Sequence, residues 1–207
     1  MIEWKISKTP IPYNQSLKFM IKRINNIYQG KHYELIWILE HPHTYTMGTN
    51  HKNKQICNIN KIPIIQSNRG GNITYHGPGQ IVIYILLNLN KRNKNIHYFI
   101  WQLEEIIIKT LKNHNLKTKR KNNYIGIWVP PIKNKETKIA SIGIRIKKWI
   151  SYHGIALNLS TNLSYFNKIN PCDIKNYKMI SIKKIGFNIK KILIYKTLKK
   201  NFEKIFL

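Results

Sequence analysis

The 207-residue sequence predicts an α/β chain of the α+β type, a mixed β-sheet with helices packed on it. Three observations predict this class. Apolar residues recur at helical spacing in three segments, which lie among strand-like runs. The run QIVIYILLNL at 80–89 is apolar on both faces, as a central strand requires. Two strand-like segments, 137–146 and 150–160, flank the short turn KKWI and suit an antiparallel hairpin. There is no internal repeat and no Pro/Ser-rich linker, so residues 1–207 are expected to form a single domain.

The elements follow in order. Residues 13–28 place Leu17, Met20, Ile21, Ile24 and Ile27 at helical spacing. ELIWILEH at 34–41 reads as a short strand that stops at Pro42, and IPIIQS at 62–67 as a second. A second helix is expected at 96–111, with Ile96, Phe99, Ile100, Leu103, Ile107 and Leu111 on one face. YIGIWV at 124–129 precedes the hairpin. A closing helix at 189–206 has Ile192, Tyr195, Leu198, Phe202 and Phe206 as its apolar stripe.

Composition bounds the partners. The formal net charge is +28, yet the cations are 31 lysines and only 5 arginines. The chain also has 40 isoleucines and 25 asparagines against 2 valines. Replacement of Val by Ile and of Arg by Lys marks an AT-biased genome, and the lysines are spread along the whole chain. Arginine is the usual bidentate reader of phosphates and bases. A basic nucleic-acid-binding module, the alternative from a different class, would need clustered arginine and exposed aromatic residues, so no nucleic-acid partner is expected. Whatever share of the charge is functional favours acidic protein partners. The apolar run at 81–87 is far too short to span a bilayer, and the N-terminus lacks an unbroken apolar segment. The expectation is a soluble cytoplasmic protein with no membrane association.

Two cysteines, Cys57 and Cys172, form no CxxC pair, which signals neither a zinc site nor a redox dithiol. Cys57 is expected to be an inert buried hydrophobe. The histidines of HPH at 41–43 have no carboxylate or cysteine completing a ligand set, so no metal is expected there.

RGGNITYHGPGQ at 69–80 holds four of the ten glycines. It is not a P-loop, because no GK[ST] follows, and a strand follows where a dinucleotide fingerprint needs a helix. A tight turn needing small residues is the bland alternative. Arg69, Thr74, Tyr75 and His76 weigh against it, since a plain turn has no use for so many polar groups.

RGGNITYHGPGQIVIYILLNL resembles the signature of the lipoyl(octanoyl) transferase family, the octanoyl-acyl-carrier-protein:protein N-octanoyltransferases. Three further blocks are similar to that family in order and spacing: HPHTYTMG at 41–48, KIASIGIRI at 138–146 with SYHGIALN at 151–158, and INPC at 169–172. The resemblance implies the fold of biotin and lipoate protein ligases. It also implies an octanoyl group taken from octanoyl-acyl carrier protein as a cysteine thioester. The group then passes to a lysine ε-amine on lipoyl domains of 2-oxoacid dehydrogenases and on the glycine cleavage H protein.

Cys172 falls on the family's nucleophile. An unperturbed thiol is only a few per cent thiolate at neutral pH. Lys138 falls on the lysine that pairs with it, lowering the thiol's pKa and then serving as general base. By strand parity Lys138 groups with Ala140, Ile142 and Ile144, toward an apolar face. The resemblance places substrate contacts at Arg69, Gly70, Gly71, Asn72, Ile73, Thr74, Tyr75 and His76. It places others at Ser141, Ile142 and Gly143 and at Gly154, Ile155 and Ala156. Burying eight carbons supplies about 5–6 kcal/mol at about 0.8 per methylene. Free N–H groups of the glycine-rich stretch would serve an oxyanion. His153 is expected to be a hydrogen-bonded core histidine, and His76 either scaffold or contact. Thioester exchange is nearly balanced and amide formation is downhill, so no cofactor is implied.

Two departures stand out. Asp173 follows the cysteine where the family usually has glycine, and a carboxylate there raises a thiol's pKa unless it points away. NNYIGIWV at 122–129 lacks the aspartate and proline that many members carry. Two related chemistries remain as alternatives: an ATP-dependent lipoate-protein ligase, which has no need of Cys172, and an octanoyl amidotransferase.

Overall fold

A computed structural model describes residues 1–50, 58, 59, 61–169 and 177–207. In chain order the elements are β1 (Ile2–Ile6), α1 (Tyr13–Tyr28), β2 (Glu34–Leu39), β3 (Thr44–Met47), β4 (Asn58–Ile59), β5 (Ile62–Gln66), β6 (Ile73–His76), β7 (Gln80–Leu86), α2 (Ile96–Lys112), β8 (Lys119–Lys121), β9 (Tyr124–Ile132), β10 (Lys135–Lys147), β11 (Ile150–Asn158), β12 (Tyr177–Met179) and α3 (Lys191–Phe206). Parallel and antiparallel pairs coexist, which makes this the mixed α/β class expected. Among the described residues no helix is long and apolar enough to cross a membrane.

The described residues divide into two compact units. The first draws on Met1–Lys94, Gly143–Ala156 and Thr161–Ile174. There β1 runs parallel to β2, β2 is antiparallel to β7, and β7 neighbours β11. One face of α1 supplies Met20, Ile24 and Ile27 to a core built with Leu35, Trp37 and Leu39 of β2 and Val82, Tyr84 and Leu86 of β7. The alternate residues of each strand meet the helix because side chains alternate across a strand. Each such burial is worth about 1.5–3 kcal/mol. All seven residues of β7 are buried, as its unbroken apolar run requires. The α1 face is rotated from the expected stripe. Ser16 and Arg23 are buried on it, while Leu17 and Ile21 are only half-buried. Ser16 donates to the Tyr13 carbonyl, and Arg23 pairs with Glu3 and His32 through its two terminal nitrogens, which gives both residues partners where they lie.

A smaller four-stranded sheet in the same unit has the order β4-β5-β3-β6. β3 is parallel to β5 and antiparallel to β6, with Thr44 opposite His76. The β10–β11 connection is two residues, Lys148 and Trp149, with φ of 53° and 57°. That is the backbone of a tight hairpin, built without the Asn-Gly that usually supplies it.

The second unit draws on Asn95–Ile142, Leu157–Ser160 and Lys175–Leu207. Here β9 is antiparallel to both β8 and β10, and β12 pairs in parallel with β10. α2 packs on α3 through Phe99 and Phe206, and Asn201 donates to Thr110 Oγ1 at 3.1 Å. The buried seam of α3 is Ile194, Leu198, Asn201 and Phe202; Ile192, expected inside, is 52% exposed.

Candidate active site

In the second unit, Lys138 of β10 is 4% exposed. Its Nζ lies 5.1 Å from the ring centroid of Trp128, the residue opposite it on β9. A cation over an indole face is electrostatically favoured, and more so when water is excluded. The lysine chain occupies the space above Gly126: a β-carbon there would overlap Lys138 Cε and lie 2.7 Å from the Ala140 carbonyl oxygen. Gly126 also has φ of +128°, which side-chain-bearing residues rarely adopt. The Lys138 carbonyl accepts from the Ile180 amide at 2.9 Å. The β9–β10 register shifts between Lys138 and Ala140, and Thr137, Lys138, Ile139 and Ala140 are all buried. Lys138 is therefore inside the protein, but simple alternation is not what puts it there.

In the first unit the glycine-rich stretch is tied down at both ends. β6 covers Ile73, Thr74, Tyr75 and His76, so a third of the stretch is this strand. The carbonyls of Arg69, Gly71 and Asn72 accept from the amides of Thr49, Asn50 and Gly48 at 3.0–3.2 Å. The Gly70 amide donates to the Ile144 carbonyl at 3.3 Å, so that N–H is already engaged within the protein. Gly143 lies against Gly70, and a β-carbon on it would stand 3.0 Å from the Gly70 oxygen. Arg69 is 8% exposed and points inward. Its guanidinium reaches Thr46 Oγ1 at 2.9 and 3.0 Å, the Thr46 carbonyl at 2.7 Å and the Gly70 carbonyl at 3.0 Å.

The side chains of β6 join a buried aromatic and histidine cluster. Tyr75 bonds His43 Nδ1 at 2.6 Å and stacks on Tyr165 with centroids 4.6 Å apart. Burial raises its phenol pKa, with Tyr165 and Tyr45 adding to the shift. His76 Nδ1 pairs with Gln80 Oε1 at 2.7 Å. Burial holds the His76 imidazole well below its ordinary value, reinforced by His41 and Arg69. His153, with φ of 59°, pairs with Asn68 Oδ1 at 2.8 Å and is the hydrogen-bonded core histidine expected. Burial, with Arg69 adding to it, pushes its pKa down to about 3. His41 is also buried, pushed down to about 4, and bonds the Ile11 carbonyl and the Tyr84 hydroxyl.

The remaining expected contact residues fall into both units. Ser141 and Ile142 are half-buried in the second. Gly143, Gly154, Ile155 and Ala156 belong to the first, where a β-carbon on Gly154 would collide with the Ile83 carbonyl of β7. Cys57, Cys172 and Asp173 lie outside the described residues. Sequence reasoning overlooked Thr46, Asn68 and Glu104. Glu104 carried a readable signal, an acidic residue on the apolar face of α2 in a chain with only 8 Asp and Glu. Thr46 and Asn68 carried none, because their partners are distant in sequence.

Residues 12–203 match the family described as the lipoyl protein ligase A/B catalytic domain. The chain belongs to that family. An octanoyltransferase of Wolbachia pipientis subsp. Culex pipiens is 46% identical over 208 residues, covering 100% of both chains. Among solved structures, a bipartite lipoate protein ligase from Thermoplasma acidophilum aligns with TM-score 0.70 at 13% identity, covering 99% of this chain and 84% of that one. A biotin acetyl coenzyme A carboxylase synthetase from Helicobacter pylori aligns with TM-score 0.57 at 11% identity, covering 100% and 76%. At such low identity the two structures establish a shared fold, the one expected for the family.

Proposed function

We propose that this protein is an octanoyltransferase with a cysteine thioester intermediate, acting in the cytoplasm as one catalytic domain over residues 1–207. Octanoyl-acyl carrier protein is the donor. The acceptors are lipoyl domains of 2-oxoacid dehydrogenases and the glycine cleavage H protein. The Cys172 thiolate attacks the thioester carbonyl; its C–S bond forms as the carrier's C–S bond breaks, and the carrier leaves as a thiol with a proton given up by the Lys138 ammonium, which becomes the neutral amine. The acceptor's lysine amine then attacks the same carbonyl. A C–N bond forms, the bond to Cys172 breaks, and Lys138 takes the proton that the amine sheds.

The observation that supports this reading most is the burial of Lys138, the one buried lysine among the described residues. Taking an ammonium out of water is costly, and lysine is almost never fully buried, which marks this position out from the chain's surface lysines. In the proposed role Lys138 stabilises the thiolate first and moves the amine's proton second. The glycines at 70, 143 and 154 let backbone pack against backbone, and the segments that carry them are the contacts proposed for the acyl chain.

Incubation with octanoyl-acyl carrier protein is expected to give a one-octanoyl adduct by intact mass, removed by hydroxylamine. A Cys172→Ser protein that still accumulates a hydroxylamine-labile adduct would refute the nucleophile.

A further inference from the structure

Glu104 of α2 is 7% exposed, the one charged residue on a buried helix face made of Phe99, Leu103, Ile106, Ile107, Thr110 and Leu111. One oxygen, Oε1, accepts the Gly126 amide at 3.0 Å. The other, Oε2, faces Arg120 Nε at 3.2 Å. Arg120 is itself held in place: it donates to Glu105 at 2.7 Å and to the Trp101 carbonyl at 3.0 Å, and lies 4.6 Å from the Trp101 ring centroid. Buried ion pairs contribute little net stability compared with apolar packing, so stability alone does not account for this one.

Its position does. Gly126 lies between Tyr124 and Trp128, where the β8–β9 register shifts. The Glu104 carboxylate captures the Gly126 amide and fixes the height of β9 at that point. That is the point where the Lys138 chain passes over the missing side chain of Gly126, with Nζ then over Trp128.

We infer that Glu104 is a positioning residue for Lys138, acting through the Gly126 amide, with the Arg120 guanidinium beside its other oxygen. The inference rests on the reading of Lys138 as the basic partner of the thiol.

Single-turnover octanoyl transfer and the pH dependence of iodoacetamide alkylation at Cys172, resolved by peptide mass, test it in the full chain. Glu104→Ala is expected to slow transfer by about 10–100-fold, the usual cost of misplacing a catalytic group by an ångström, and to move the alkylation midpoint upward. Glu104→Gln keeps an acceptor for the Gly126 amide and is expected to recover most of both losses. Gly126→Ala, which presses directly on the lysine chain, should reproduce the midpoint shift even where Glu104→Ala folds poorly. Lys138→Ala separates the two levels. If it leaves the midpoint unmoved, the lysine's role falls and this inference falls with it. If it moves the midpoint while Glu104→Ala and Gly126→Ala change only thermal stability, the positioning role alone is overturned.

Discussion

Tyr13 of α1 lies face to face with His76 of β6, with ring planes 14° apart and centroids 5.9 Å apart. The same tyrosine is near-parallel to His153, at 10° and 6.4 Å, and its hydroxyl bonds Ser67 at 2.6 Å. One aromatic ring thus organises two buried imidazoles, with His41 at 5.3 Å as a third neighbour.

These histidines make stability fall in acid. His41 and His153 titrate at about 4 and about 3 in the folded protein, against 6.5 for an unperturbed imidazole. Above pH 6.5 both states are neutral and the histidines add no pH dependence. Below it the unfolded chain binds protons that the folded chain refuses, so stability drops as pH falls toward the folded values. At pH 5 the cost is about 2 kcal/mol per histidine. His76 adds in the same direction. Urea midpoints measured from pH 7.5 to 4.5 should decline steeply below 6.5, and a flat profile would contradict this account.

Arg69→Lys is expected to destabilise the first unit by about 1.5–3 kcal/mol, because one ammonium cannot serve Thr46 Oγ1, the Thr46 carbonyl and the Gly70 carbonyl together. Thermal denaturation of the variant checks this. A melting temperature equal to that of the parent would mean that the guanidinium contacts carry no stability.

Gly143→Ala is expected to act locally. Its β-carbon meets the Gly70 oxygen at 3.0 Å, so the two backbones must separate by a few tenths of an ångström and strain the 3.3 Å bond from the Gly70 amide to Ile144. Overpacking of this size costs about 1–3 kcal/mol. The octanoyl donor's KM should rise more than kcat falls if the segment contacts the acyl chain. An unchanged KM would remove Gly143 and Gly70 from the substrate's path.

The long periodic elements were legible because their information is local. α1 spans 13–28 as its spacing implies, and α2 and β7 match their apolar patterns closely. β3 and β6 were not foreseen. Each is four residues long and exists through pairing, β6 with β3 and β3 with both β5 and β6, so HPHTYTMG and GNITYHG show no strand period of their own. The stripe on α3 was misplaced for a compositional reason: with 40 isoleucines in the chain, an isoleucine such as Ile192 says little about burial. Polar residues inside helix faces escaped notice: Arg23, Glu104 and Asn201 pair with residues distant in sequence, and Ser16 turns back onto the Tyr13 carbonyl. The burial of Lys138 followed from its motif more than from parity, since a register shift interrupts the alternation beside it.

The stretch at 69–72 hands three of its carbonyls to residues 48–50 and its Gly70 amide to Ile144. Although rich in glycine, it is therefore clamped between neighbouring segments like a rung in a ladder. Its opening costs the rupture of several backbone bonds at once instead of the swing of a tether. The amide protons of Gly48, Thr49, Asn50 and Gly70 should accordingly exchange with solvent as one cooperative group, on the clock of β3 and β6.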